Sequence, residues 1–364
     1  MVNHQMTKLK GFAGRVCGTL GSVEEALMSV EGIQLEAVTA WLRDRIAGLE
    51  PPLEFALIAG GHSNLTYRFV DRLGTPYVLR RPPLGHVLES AHDMVRENRI
   101  VSALAGSKVP VAPTFGLCED IEINDAPFYI MGFVDGAVLH DAAAAEKLSP
   151  AQRLELGTDV VAVLSALHLI DPDAVGLGNL GRKEAYLARQ LKRWNKQWAA
   201  SKTHEIPEME ATSKLLEERM PEQVGATIVH GDYRLGNMMI ADGRIKAVLD
   251  WELCTLGDPL ADVGYLLNSW AEPGDPGAEL AATHVGGFPT RAQVSEWYQK
   301  ATARDLTDIN YYRAFSHWRL AAIGQGVYKR YLVGAMGDNR EMDLDTYKQS
   351  VRVRAATALS LLES

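Results

Sequence analysis

The hydrophobic period changes part-way along this sequence, and that change is what most limits the folds open to it. Between residues 54 and 134 the apolar residues come in short runs rich in β-branched and aromatic side chains. EFALIAG (54–60), NLTYRFVD (64–71) and PYVLRRP (76–82) read as strands, punctuated by Gly60-Gly61 and Gly74. A helix is expected over 91–105, where Met94, Ile100, Val101 and Leu104 share a face. Two more strands follow at 113–118 and 127–134, with a turn at Asn124-Asp125. From about residue 149 the spacing becomes three and four, as in Leu156, Val160, Val163, Leu164 and Leu167. Further helices are expected at 183–199, 208–219, 259–270, 291–303, 308–333 and 343–362. One helix, 34–48, precedes the strands and stops at Pro51-Pro52. The order β-β-β-α-β-β predicts one antiparallel sheet with a helix against it, ahead of a larger helical part. The fold class is α+β.

One insert breaks the helical half. IVHGDYRLGNMMI (228–240) puts a histidine, an aspartate, an arginine and an asparagine between two apolar ends. Polar groups are costly to bury unless paired, and loops on a rigid scaffold are where function concentrates. MMI, Ala241-Asp242-Gly243-Arg244 and IKAVLD then read as a hairpin, because Asp-Gly suits a tight two-residue turn. A hairpin brings its two ends together. Asp232 and Asn237 on the entering loop and Asp250 at the far end should therefore converge. Two carboxylates and a carboxamide offer the hard oxygens that suit Mg²⁺. Phosphoryl transfer needs such a set: one aspartate for the proton of the attacking hydroxyl, and an asparagine and aspartate for the metal.

Composition narrows the alternatives. A net charge of −9 over 364 residues, with both signs dispersed, argues against nucleic-acid binding. The cysteines Cys17, Cys118 and Cys254 are far apart and form no CxxC pair, so a reducing, cytoplasmic setting is expected. No apolar run approaches the roughly 18 residues of a membrane span, and no apolar stretch of a secretory leader follows Lys8, Lys10 and Arg15. The histidines lack HExxH spacing, which disfavours a zinc enzyme.

HGDYRLGN resembles the HGDxxxxN motif of the aminoglycoside phosphotransferase and choline kinase-like family, and DWELCTLGDPLADVGYLL resembles its metal motif and following GDPxxD helix start. YVLRRPP, RQLKRWNKQW and GVYKRYLVG resemble the branch found fused to acyl-CoA dehydrogenases. The resemblance covers roughly residues 34–340. It implies a protein-kinase-like two-lobe fold, with a nucleotide-binding lobe over 1–133 and a catalytic, substrate-binding lobe over 134–364. It implies ATP and Mg²⁺, and transfer of the γ-phosphate to a small-molecule hydroxyl. Asp232 would be the base, Asn237 and Asp250 the metal ligands, and Arg234 would face the transferred phosphate. Ser63 and Asn64, within Gly60-Gly61-His62-Ser63-Asn64, would lie by the phosphates. Arg80 stands where kinases place a lysine on the third strand, with Glu97 as its expected partner. Met131, Gly132 and Val134 would line the adenine site at the join between lobes. His230 would brace the loop, and Asp258 would cap the helix opening at Pro259 and help brace the same loop.

Other readings stay open. A nucleotide-binding pseudokinase with a regulatory role is the alternative, and the arginine at position 80 leaves room for it. A protein kinase is disfavoured because no APE motif follows DWE. Gly176-Leu177-Gly178-Asn179-Leu180-Gly181 matches GxGxxG, but no strand precedes it, so an ordinary loop is expected. His168, near a helix end, is expected to be structural. The acceptor divides two ways. Glu272, Asp275 and Glu279 would suit a polycationic sugar, whereas Lys192, Arg193, Lys196, Trp194, Arg313, Lys329 and Arg330 would suit a hydroxyacyl or CoA-type acceptor. The second is favoured.

Overall fold

The computed structural model describes residues 30–59, 64–84, 93–275, 278–334 and 343–364. Helix α1 (Leu35–Arg43) leads into strands β1 (Glu54–Ala59), β2 (Leu65–Val70) and β3 (Pro76–Arg81). Helix α2 (Met94–Leu104), β4 (Thr114–Cys118), the single-turn helix α3 (Ile121–Asn124) and β5 (Phe128–Gly132) complete the first lobe. The five strands form one antiparallel sheet in the order β1-β2-β3-β5-β4. Alternation along β2 and β3 buries Tyr67, Phe69 and Leu79. Val38, Trp41 and Leu42 of α1 pack into the same core, and the Trp41 ring meets Phe128 edge-on at 5.0 Å. The turn expected at Asn124-Asp125 is α3, ended by Asp125 in the left-handed region at φ 56°.

Helix α2 lies against β4 and β5, as the sequence reading has it, but its apolar face does not join the sheet core. Ile100, Val101 and Leu104 of α2 belong to the core of the larger lobe, and α1 fills the sheet core instead. Periodicity shows that a helix has an apolar face; it does not show which neighbour covers it.

The larger lobe contains α4 (Ala142–Ala145), α5 (Pro150–Leu169), α6 (Tyr186–Ser201) and α7 (Pro207–Glu218). Strand β6 (Thr227–Val229) follows, then the hairpin β7 (Met238–Ala241) and β8 (Arg244–Val248), then β9 (Thr255–Gly257). Helices α8 (Leu260–Ser269), α9 (Arg291–Thr302), α10 (Ile309–Leu332) and α11 (Leu344–Glu363) end the chain. The Asp-Gly turn takes the form the sequence indicates, with Asp242 at φ 54° and Gly243 at φ 69°. The β6–β9 pair is a feature the sequence hides, because three residues are too few to show alternation. Ile240 and Ala137 exchange both backbone hydrogen bonds, at 2.8 and 2.9 Å, so the segment after β5 is tied to the hairpin. The GxGxxG stretch is a turn-rich loop after α5.

Candidate active site

The polar loop begins where β6 ends, and buried side chains hold its backbone. Gly231 sits at φ 86°, and a Cβ there would lie 2.9 Å from the Leu253 carbonyl oxygen, so only glycine fits. Asp262, fully buried on the first turn of α8, accepts the His230 N–H at 2.7 Å and the Gly231 N–H at 2.8 Å. Burial opposes its charge, but the His168 side chain and the loop amide outweigh burial and hold its pKa below the usual range. His168 Nε2 donates to Asp262 at 3.3 Å, and its Nδ1 accepts the Tyr298 hydroxyl at 2.8 Å. Burial lowers the His168 pKa, in keeping with this neutral tautomer and a structural place. Asp258 has another task. It accepts the Leu260 N–H at 3.0 Å, capping α8 as the sequence suggests, and the Tyr312 hydroxyl at 2.8 Å. Among the described residues it is Asp262, not Asp258, that bonds to the loop.

His230 ties the loop to the hairpin's far end. Its Nδ1 accepts the Asp232 N–H at 3.2 Å and its Nε2 donates to the Leu249 carbonyl at 2.9 Å, one residue before Asp250. Asp232 and Asn237 are thereby joined, and the hairpin end that carries Asp250 is bonded to the same loop. Asp232 Oδ2 accepts Asn237 Nδ2 at 2.7 Å, and the same amide nitrogen donates to the Asp232 carbonyl at 2.9 Å. Asn237 Oδ1 is then the amide atom open to a cation. Asp232 Oδ1 accepts Arg234 Nε at 3.2 Å and the Tyr265 hydroxyl. The sequence reading turns Arg234 towards a transferred phosphate; here it folds back on Asp232, the anion two residues away.

Asp250 follows β8 at φ 63°. Its Oδ1 accepts Arg80 Nη2 at 3.0 Å, so β3 reaches across to the hairpin. Arg80 Nε lies 2.9 Å from the Glu97 carboxylate on α2, and Nη1 donates to Thr66 Oγ1 at 3.1 Å. Asn64, also buried, donates to Glu97 at 3.4 Å. Glu97 is 4% exposed, and burial raises its pKa against the opposing pull of Arg80. Met131 and Gly132 end β5 beside β3, and Val134 follows, all half-buried. Ser63 and its preceding glycines lie outside the described residues.

The carboxylates crowd one another. Glu252, two residues past Asp250 and exposed on one side, has its pKa pushed up to about 7 by partial desolvation and then by Asp250, with Arg80 opposing and Glu97 and Asp232 adding. Hard oxygen donors with surplus negative charge fit a divalent cation such as Mg²⁺. The candidate acceptor residues are not gathered in this way. Lys192, Arg193 and Lys196 are exposed on α6, and among the described residues no hydrogen bond or ion pair links them to the loop. Arg193 rests on Trp194, Lys329 donates to the Ala200 carbonyl at 2.8 Å, and Arg330 is exposed. Arg313 Nε donates to Asn268 at 3.1 Å. Glu272 and Asp275 are both taken by Arg291 at 2.8 Å, and Glu279 is exposed. Sequence reasoning passed over Tyr265 and Arg319, which touch Asp232 and the Gly231 carbonyl. A signal existed for Tyr265, which lies three residues after Asp262 on the same helical face.

The sequence pattern of the phosphotransferase enzyme family matches residues 54–297. The chain belongs to that family. Acyl-CoA dehydrogenase family member 10 of Mus musculus is 39% identical over 295 residues, covering 78% of this chain. The chain spans only 27% of that relative's length. A Ralstonia eutropha crystal structure, provisionally assigned as an aminoglycoside phosphotransferase, is 36% identical with a TM-score of 0.76, covering 90% of this chain and 98% of that one. A thermostable mutant of an aminoglycoside phosphotransferase, in ternary complex with ADP and hygromycin B, shares the fold at 17% identity and a TM-score of 0.56, covering 85% of this chain and 93% of that one. This phosphotransferase-family chain thus has the kinase-like two-lobe fold. Among its described residues no helix is long and apolar enough to cross a membrane.

Proposed function

We propose that this family member is an ATP-dependent small-molecule kinase that transfers the γ-phosphate to a substrate hydroxyl. The observation that carries the reading is the Asp232–Asn237 bond on a loop tied to the hairpin end that carries Asp250, which itself bonds to the Arg80–Glu97 pair. The lobe over 1–133 would hold the nucleotide, with Asn64 and Ser63 by the phosphates and Met131, Gly132 and Val134 by the adenine. The lobe over 134–364 would hold the acceptor.

Asp232 would take the proton as the hydroxyl oxygen bonds to the γ-phosphorus and the bond to the leaving ADP breaks. Asn237 Oδ1 and Asp250 would hold Mg²⁺, which supplies charge neutralisation for the triphosphate. Arg80 would fix Asp250 and, through its remaining N–H groups, meet phosphate oxygens. Arg234 would leave Asp232 for the transferred group. His230 and Asp262 would keep the loop in register, so that positioning and preorganised charge do most of the work.

A hydroxyacyl or CoA-type acceptor remains the favoured class over an aminoglycoside. Its support is now Arg291, which neutralises Glu272 and Asp275, the acids a polycation would need. Among the described residues Cys118 and Cys254 are free, buried thiols; a reducing, cytoplasmic setting is the one proposed.

The test is phosphoryl transfer from Mg·ATP across a panel of hydroxyl compounds that includes hydroxyacyl-CoA thioesters and aminoglycosides. Asp232→Asn should bind Mg·ATP like the parent protein and lose transfer by about a hundredfold or more. Wild-type turnover in that variant removes Asp232 as the base. Binding of Mg·ATP with no transfer to any acceptor, or to water, would favour the pseudokinase reading.

A further inference from the structure

Tyr265 lies one helical turn beyond Asp262 on α8, so the same helix holds the loop backbone with one residue and the loop carboxylate with the other. Its hydroxyl donates to Asp232 Oδ1. The ring is held in turn by Arg319 of α10, whose guanidinium carbon stands 5.4 Å from the ring centroid. Arg319 is 9% exposed and donates from Nη2 to the Gly231 carbonyl at 2.9 Å. Two helices and the loop backbone therefore fix the phenol against Asp232. Burial and the neighbouring carboxylate raise the Tyr265 pKa, so the group stays a protonated donor at neutral pH.

An ionised carboxylate offers about four lone-pair positions. Oδ1 of Asp232 takes two donors, Tyr265 and Arg234, and Oδ2 takes one, Asn237. When Arg234 moves to a phosphate, each oxygen keeps one fixed donor, Tyr265 on Oδ1 and Asn237 on Oδ2, and one open position. We propose that Tyr265 is the positioning residue that holds Oδ1, locks the carboxylate plane against the loop, and so presents Asp232 to the acceptor hydroxyl in one fixed orientation. Arg234 cannot serve alone, because its side chain is 42% exposed and free to move to a phosphate. The assignment rests on Asp232 being the base.

The experiment uses the full chain with Mg·ATP, measuring hydrolysis with water as acceptor, calorimetric Mg·ATP affinity and thermal midpoint. Tyr265→Phe keeps the ring over Arg319 and removes only the donor. Its kcat should fall about tenfold while KM for Mg·ATP, affinity and midpoint stay at parent values. In an Asp232→Asn background the same change should have no further effect on kcat. An unchanged kcat in Tyr265→Phe, or an equal loss in both backgrounds, overturns the proposal. Full hydrolysis by Asp232→Asn alone is a different result, the failure of the base reading. The contact has its own readout in tyrosine ¹³Cζ NMR, which needs no turnover. The resonance that Tyr265→Phe deletes should shift in Asp232→Ala, and a resonance that stays put overturns the contact on which the proposal stands.

Discussion

Arg80 does what a lysine at its position could not. A guanidinium carries five N–H groups in a fixed plane, and here three of its nitrogens reach Glu97, Thr66 and Asp250 at once. An ammonium has three donors on one atom, so it would need all three acceptors gathered around that point. The arginine was legible as a departure from the kinase lysine, and its Glu97 partner followed from their order in the chain. The Asp250 contact was not legible, because 170 residues separate the pair. Arg80→Ala should cost about 3 kcal/mol in urea unfolding, since it strands the buried Glu97 carboxylate without its cation; Glu97→Gln in the same background should recover much of it. Asp250→Ala bears on the metal. It should weaken Mg²⁺-dependent nucleotide binding about tenfold or more in calorimetric titrations, while metal-free binding changes little. Equal metal dependence in both proteins would move the cation site elsewhere.

Helix α8 and the β7–β8 hairpin are the elements that build the site. The hairpin announces itself, because Asp242 and Gly243 take the two left-handed positions that a tight turn demands. Its closure fixes where Asp250 lies relative to Asn237, and the Leu249 N–H donates to the Asn237 carbonyl at 2.9 Å. The part played by α8 was only half visible. The GDPLAD string marks a helix start, but nothing in it says that Asp258 turns to Tyr312 and Val224 while Asp262 turns to the loop. Asp258 precedes the first helical residue, Leu260, so the helix does not set its direction as it sets that of Asp262. Asp262→Ala should destabilise the protein by about 3 kcal/mol, because two buried N–H groups and the His168 ring lose their acceptor together. Urea unfolding reads the loss, and a cost below about 1 kcal/mol would mean the loop does not depend on Asp262.

Between the lobes the molecule is joined by α2. Its apolar face lies in the larger core, Arg96 donates to the Cys254 carbonyl at 2.9 Å, and Arg99 reaches Gly176 and Asn179. The GxGxxG stretch thus supplies a docking loop for α2. On the other side, α10 packs against α6, α7, α8 and α11, and there His317 answers to pH. Burial, then Arg354 and Arg313, push its pKa from 6.5 down to about 4. The folded protein keeps this ring neutral while the unfolded chain takes up a proton. Its stabilising effect is therefore whole above about pH 6.5 and is lost as the pH falls towards 4. His317→Gln should lose less stability than the parent between pH 7 and pH 5, by on the order of 1–2 kcal/mol. Urea midpoints at the two pH values measure it, and parallel losses would show that His317 is not the titrating group.

The sequence by itself determined the order of elements, the antiparallel sheet followed by helices, the hairpin, and the closeness of Asp232 to Asn237 on its entering loop. Those features rest on periodicity, turn chemistry and short spacing, all local in the chain. Tertiary structure alone decided that α1 rather than α2 fills the sheet core, that Arg80 bridges to Asp250, that Asp262 holds the loop, and that Tyr265 and Arg319 stand against it. It also left exposed the α6 cations that were read as candidate walls for the acceptor. Each of these depends on which helix face meets which neighbour across tens to hundreds of residues. A single sequence records that a face is apolar or charged, and the packing of the whole core selects its partner.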